Sequence, residues 1–85
     1  MYQVNFSKSA TKSLKKFPIP DQFRIKKVSE KIQDNPFSLD IKKLGPPHKT
    51  SHRIRMGSYR IFLDIDATTK ICLVVEIIRR TSQSY

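Results

Sequence analysis

Gly57-Ser58 stands between two runs whose residues alternate in character, His52 to Met56 and Tyr59 to Ile65, and a two-residue connection leaves such runs essentially one way to pair. Read as strands, they set Met56 opposite Tyr59 and Arg55 opposite Arg60. Side chains alternate across a strand, so Arg53 joins Arg55 and Arg60 on one face, and Phe62 falls there too. Ile54, Met56, Tyr59, Ile61 and Leu63 form the other face, an apolar surface that must be covered. Like charges directly across a strand pair are destabilising, so a guanidinium cluster calls for an anion. Arginines on a solvated sheet face are common, their stems lying over apolar surface and their heads in water. What favours a binding role here is the stretch from Ile41 to Ile61, which holds no acidic residue and adds Lys42, Lys43 and Lys49. No carboxylate close in sequence is expected to neutralise the patch.

The rest of the chain supplies the cover. Tyr2, Val4 and Phe6 alternate with polar residues, which predicts a first strand with one buried face. From Ser9 the period changes: Ala10, Leu14 and Phe17 recur at helical spacing among lysines, and Pro18 ends the segment. A second helix is predicted from Pro20-Asp21 to Asp34, with Ile25, Val28 and Ile32 on one stripe and Asn35-Pro36 as its stop. Residues 36 to 51, with three prolines and Gly45, form the least regular stretch, a long connection of the sort that borders binding surfaces. Asp66 to Lys70 reads as a turn, and the nearly continuous apolar run Ile71 to Ile78 as a central strand buried on both faces. The expected fold is α+β, in the order βααβββ. Two N-terminal helices pack on one face of a mostly antiparallel four-stranded sheet within a single domain, residues 1–85. No element is left to cover the arginines, so Arg60 should be exposed.

Charge narrows the class of partner. Seventeen Lys and Arg against seven Asp and Glu give a formal charge of +10, which draws the protein to polyanions, nucleic acid first among them. Met1-Tyr2-Gln3 is not a myristoylation start, and neither a secretory apolar segment nor a membrane-length run follows, so the expectation is a soluble cytoplasmic protein without a membrane partner. Cys72 is alone in an apolar run, which reads as a buried inert thiol and leaves no disulfide. His48 and His52, beside Pro46-Pro47 and outside any helix, do not share the face that a metal pair needs, and no metal or cofactor is expected.

The segment Arg53-Ile54-Arg55-Met56-Gly57-Ser58-Tyr59-Arg60, a following strand, and the terminal Arg79-Arg80-Thr81-Ser82-Gln83-Ser84-Tyr85 resemble the RelE/ParE superfamily of type II toxin-antitoxin toxins. The likeness runs over essentially the whole chain. It implies one of two activities: messenger RNA cleavage in the ribosomal A site through 2′-hydroxyl attack, as in RelE-like members, or inhibition of DNA gyrase without a nuclease site, as in ParE-like members. A basic domain that binds RNA without cutting it is a third reading. The resemblance matches the nuclease residues to Arg53, Arg55, Arg60, Arg79 and Tyr85; Lys42, Lys43 and Lys49 of the acid-free stretch, Phe62 of the open face and Arg80 are expected as further RNA contacts. It also implies a cognate acidic antitoxin, in a toxin-antitoxin hetero-oligomer, alongside the ribosome and its message.

The chemistry fits those residue types. Attack by a neighbouring 2′-hydroxyl needs a proton acceptor, positive charge at the phosphorane oxygens, and a donor to the leaving 5′ oxygen. Arginine forks bind phosphate bidentately and keep their charge. Arg55 and Arg60 suit the transition-state charge, Arg79 the donor or second clamp, and Tyr85 a stacking platform. Some nucleases of the family carry Lys where this chain has Arg53 and Arg55, and arginine cannot serve as the base. The acceptor is thus unassigned; His52 alternates to the face opposite Arg53, and His48 is free to reach but unplaced.

Overall fold

The computed structural model describes residues 1–80. Its elements are β1 (Gln3–Phe6), α1 (Lys8–Lys16), α2 (Ile19–Asp34), a single 3-10 turn (Pro36–Ser38), β2 (Ile41–Lys43), β3 (His52–Met56), β4 (Tyr59–Asp66) and β5 (Ile71–Arg79). They build an α+β fold, with one sheet in the order β1-β5-β4-β3-β2 and the helices on one side. β1 runs parallel to β5, and every other neighbouring pair is antiparallel.

Local chemistry explains the boundaries. Ser7 caps α1, its hydroxyl accepting the Ala10 N–H at 3.0 Å, and the basic Lys15 and Lys16 complement the carbonyl end of that helix. Pro20 sits in the first turn of α2, where its missing N–H costs nothing, and Asp21 favours the same end. Asn35 stops α2 and turns the chain, its side chain accepting the Phe37 N–H. Gly57 holds φ at +57° in the first central position of the β3–β4 connection, where an L residue would be strained.

The core lies between the helices and one sheet face. Ile25 and Ile32 of α2 and Ala10 of α1 meet Ile54, Tyr59, Ile61, Leu63, Cys72, Val74 and Ile77, all nearly inaccessible. Each large aliphatic group among them contributes roughly 1.5–3 kcal/mol by leaving water. Burial also raises the Cys72 thiol pKa, consistent with an inert core residue.

The sequence-based picture changes at two points. The sheet has five strands rather than four, because Ile41–Lys43 adds to the free edge of β3. β5 is an internal strand, but β4 is the central one, and β5 is covered on one face only: Ile71, Leu73 and Ile78 are 37–39% exposed. A continuous apolar run does not say how many faces are covered, and both helices lie on the same side. Among the described residues no helix is long and apolar enough to cross a membrane.

Candidate nucleic-acid interface

Strand pairing arranges the outer face of the sheet as a grid. Lys42, Arg53, Phe62 and Glu76 form one row across β2, β3, β4 and β5, and Arg55, Arg60 and Ile78 form the next. Neighbours in a row stand about 4.8 Å apart, and rows are separated by about 6.7 Å. The hairpin register is the expected one, and Arg53, Arg55 and Arg60 share a face.

A bulge in β5 decides which C-terminal arginine joins them. Phe62 pairs with Glu76 but Leu63 pairs with Val74, so Val75 has no partner and the alternation slips by one residue. Arg79 therefore pairs with Tyr59 on the helix side, its guanidinium carbon 5.8 Å from the Tyr59 ring centroid. Arg80 falls on the outer side, its N–H donating to Ser58 O at 2.6 Å in extension of the ladder. Without the bulge the two would exchange faces. Ser7 fixes this feature: its N–H donates to Val74 O at 2.9 Å and its hydroxyl to Val75 O at 2.6 Å. The residue that caps α1 thus also satisfies the carbonyls at the bulge.

The arginines differ in environment. Arg60 is half-buried rather than exposed, because its Nη1 donates back to Gly57 O and Tyr59 O, both at 3.1 Å. Burial, and then the charges of Arg55, Arg80 and Arg53, lower its pKa, with Asp40 opposing them. An arginine stays protonated all the same. Arg53 is half-buried too, and its buried Nε has no hydrogen-bond partner, an unmet donor of the kind an anionic oxygen satisfies. Arg55 is exposed and meets Asp40, Nε to Oδ2 at 3.3 Å. This carboxylate stands one residue outside the acid-free stretch, and β2 pairing carries it to Arg55, whose N–H donates to Asp40 O. The patch is therefore partly neutralised, contrary to the expectation from local sequence.

The outer face is also not wholly open. The segment leading into β3 folds against it, so that His48, Lys49 and Thr50 form with Phe62, Val75, Glu76 and Ile78 a groove of about 270 Å³. Lys42 lies on the arginine face and Lys49 at the groove, whereas Lys43 pairs with His52 on the opposite side. His52 packs edge-on against Phe37, ring centroids 5.9 Å apart, and its Nδ1 is 2.7 Å from Ser51 Oγ. Burial and then Lys43 lower its pKa, Asp64 opposing, and it stands away from the arginines. Glu76, which sequence reasoning passed over, completes the first row of the grid; only the bulge assigns it to this face. Tyr85 lies outside the described residues.

On the helix side, Arg79 belongs to a separate group. Tyr59 packs on Phe17 at 4.8 Å between centroids and donates its phenol proton to Asp21, which also meets Arg24 at 3.7 Å. Burial and then Asp21 raise the Tyr59 pKa, so this phenol is a structural donor. Arg79 lies across the sheet from the outer cluster.

No protein-family model matches the chain. Toxin RelE3 of Methanocaldococcus jannaschii is 38% identical over 73 residues, which span 81% of this chain and 82% of that toxin. Among solved structures, the RelBE2 toxin-antitoxin complex from Mycobacterium tuberculosis contains a chain that superposes with a TM-score of 0.83 at 21% identity, covering 93% of this chain and 98% of that one. At that identity the likeness is one of fold. The RelB-RelE antitoxin-toxin complex from Methanococcus jannaschii gives a TM-score of 0.71 at 29% identity, covering 95% of this chain and 98% of its counterpart.

Proposed function

This chain belongs to the RelE family of toxins from type II toxin-antitoxin systems, and we propose that it is a ribosome-dependent endoribonuclease that cuts messenger RNA in the A site by 2′-hydroxyl attack. The observation that carries this reading is the gathering of Arg53, Arg55, Arg60 and Arg80 on one outer face of the sheet. Arg60, fixed by its two backbone carbonyls, and Arg53, with its unmet Nε, are the pair held in place for a phosphate before any ligand arrives. Such preorganised charge is what a phosphorane transition state needs. Arg55 adds charge once the phosphate competes with Asp40. Arg80 takes the part of donor to the leaving oxygen that the resemblance gave to Arg79, because it shares the face. Tyr85 keeps the stacking role that the resemblance assigns it. His48, which lines the groove on this face, is our candidate for the proton acceptor that the arginines cannot supply.

Antitoxin-toxin complexes are among the relatives of known structure, and this chain carries a charge of +10. Its inhibitor is accordingly an acidic antitoxin whose association is fast and salt-sensitive. The activity is tested with purified ribosomes and a defined message. Cuts at fixed codon positions are the expected result. An intact message together with inhibited gyrase supercoiling would replace this reading with the gyrase one.

A further inference from the structure

Glu76 is the carboxylate on the arginine face for which the fold has no use. Asp40 is engaged by Arg55, Asp64 accepts the Ser51 N–H at 2.9 Å, and Asp66 accepts the N–H groups of Thr68 and Thr69 at 2.9 and 3.2 Å. Glu76 is exposed and, among the described residues, its side chain makes no ion pair or hydrogen bond. A negative charge amid a phosphate-binding surface weakens its pull on any polyanion. Its place there suits a group that arginine cannot serve, namely a hydrogen-bond donor on the ligand.

The groove beside it fits that ligand. At about 270 Å³ it falls just below the roughly 300–1,000 Å³ of a general small-molecule site, so it suits a single ring system. Its apolar lining is Phe62, Val75 and Ile78, and its polar edge is His48, Lys49 and Glu76. Single-stranded RNA is read by stacking splayed bases on aromatic rings and bonding to their edges. The groove adjoins Arg53 and Arg60 directly, since Phe62 is the cross-strand partner of Arg53 and lies two residues from Arg60.

We propose that this groove holds one unpaired RNA base beside the phosphate bound by the arginines, with Phe62 as stacking surface and the Glu76 carboxylate accepting from an exocyclic amino group. The assignment rests on the RNA-directed reading above. Cytosine, adenine and guanine each carry such an amino group, whereas uracil sets a carbonyl oxygen where cytosine has N4. Two acceptors would then face one another, so uracil is disfavoured. Charge-assisted bonds of this kind are short and strong, which makes the discrimination measurable at a partly exposed site.

The test is a fluorescence-anisotropy titration of the whole protein with labelled 2′-O-methyl tetranucleotides of cytidine and of uridine. These are equal in length and charge, and they cannot be cut. The wild type should bind the cytidine strand about tenfold more tightly. Glu76→Gln, whose amide offers both a donor and an acceptor, should bring the two within about twofold of each other. Equal binding of both strands by the wild type would overturn the base-reading groove while leaving the phosphate-binding face intact. A cytidine preference that survives Glu76→Gln would overturn the role of Glu76. Failure to bind either strand would overturn this assignment, while the ribosome cleavage assay above decides the RNA-directed reading on its own.

Discussion

Arg79→Ala and Arg80→Ala should have opposite consequences, although the residues are adjacent and identical. Arg80 stands on the outer face beside Arg60, as its bond to Ser58 and its contribution to the lowered Arg60 pKa both indicate. Losing one preorganised donor to a developing oxyanion typically costs about 10²–10³ in rate. Arg80 is exposed, so the lower figure, about a hundredfold, is expected. Its removal also relieves repulsion at Arg60, so thermal stability should hold or rise slightly. Arg79 lies over the Tyr59 ring on the helix side. Its loss removes a cation–π contact that contributes about 0.5–1 kcal/mol at an exposed site. For a domain of this size that lowers Tm by about 2–8 °C, with cleavage within about threefold of wild type given its distance from the site. The assay is single-turnover cleavage of a ribosome-bound message, paired with a thermal melt of each variant. Abolished cleavage in Arg79→Ala with near-wild-type cleavage in Arg80→Ala, both folded, would refute the bulge-based assignment.

Other consequences follow from the same geometry. Ser7→Ala removes both the α1 cap and the bond to the bulge carbonyl and should cost about 1–2 kcal/mol in urea unfolding, with Ser7→Thr recovering much of it; an unchanged urea midpoint would dismiss the double role. Asp40→Asn releases Arg55 and should steepen the log–log salt dependence of single-stranded RNA binding by about 0.7, at little stability cost because the pair is exposed. The Thr69 and Thr68 N–H groups lower the Asp66 pKa, so its folded value lies beneath the unfolded value of about 3.9. Its contribution is then complete well above that value and is lost as pH falls through the folded one. In urea melts the wild-type advantage over Asp66→Ala should therefore be constant above about pH 5 and shrink in acid; an advantage that grows toward low pH would contradict the sign.

The parts of the site that could be read from the sequence are those set by a local rule. Gly57-Ser58 admits one hairpin register, and from it the shared face of Arg53, Arg55 and Arg60 follows by alternation. Helical spacing located Ala10, Ile25 and Ile32, all of which are buried. The bulge at Val75 could not be read, because Val74 and Val75 are the same residue type within an apolar run and nothing marks which one drops out of the ladder. That single slip decides the faces of Glu76, Arg79 and Arg80. β2 was hidden for another reason: three residues flanked by charge and proline carry no periodicity, yet they suffice to bring Asp40 to Arg55. The groove arises from His48 and Lys49 folding back over Phe62, a long-range contact that no spacing rule anticipates.

The claim beneath all of this is that the outer arginines engage an RNA phosphate, and the salt dependence of single-stranded RNA binding by the wild type and Arg60→Ala measures it most directly. Losing one phosphate contact should flatten the log–log slope by about 0.7 and abolish cutting on the ribosome in a variant that still melts cooperatively. A folded Arg60→Ala protein with the wild-type slope and wild-type cleavage would contradict the account.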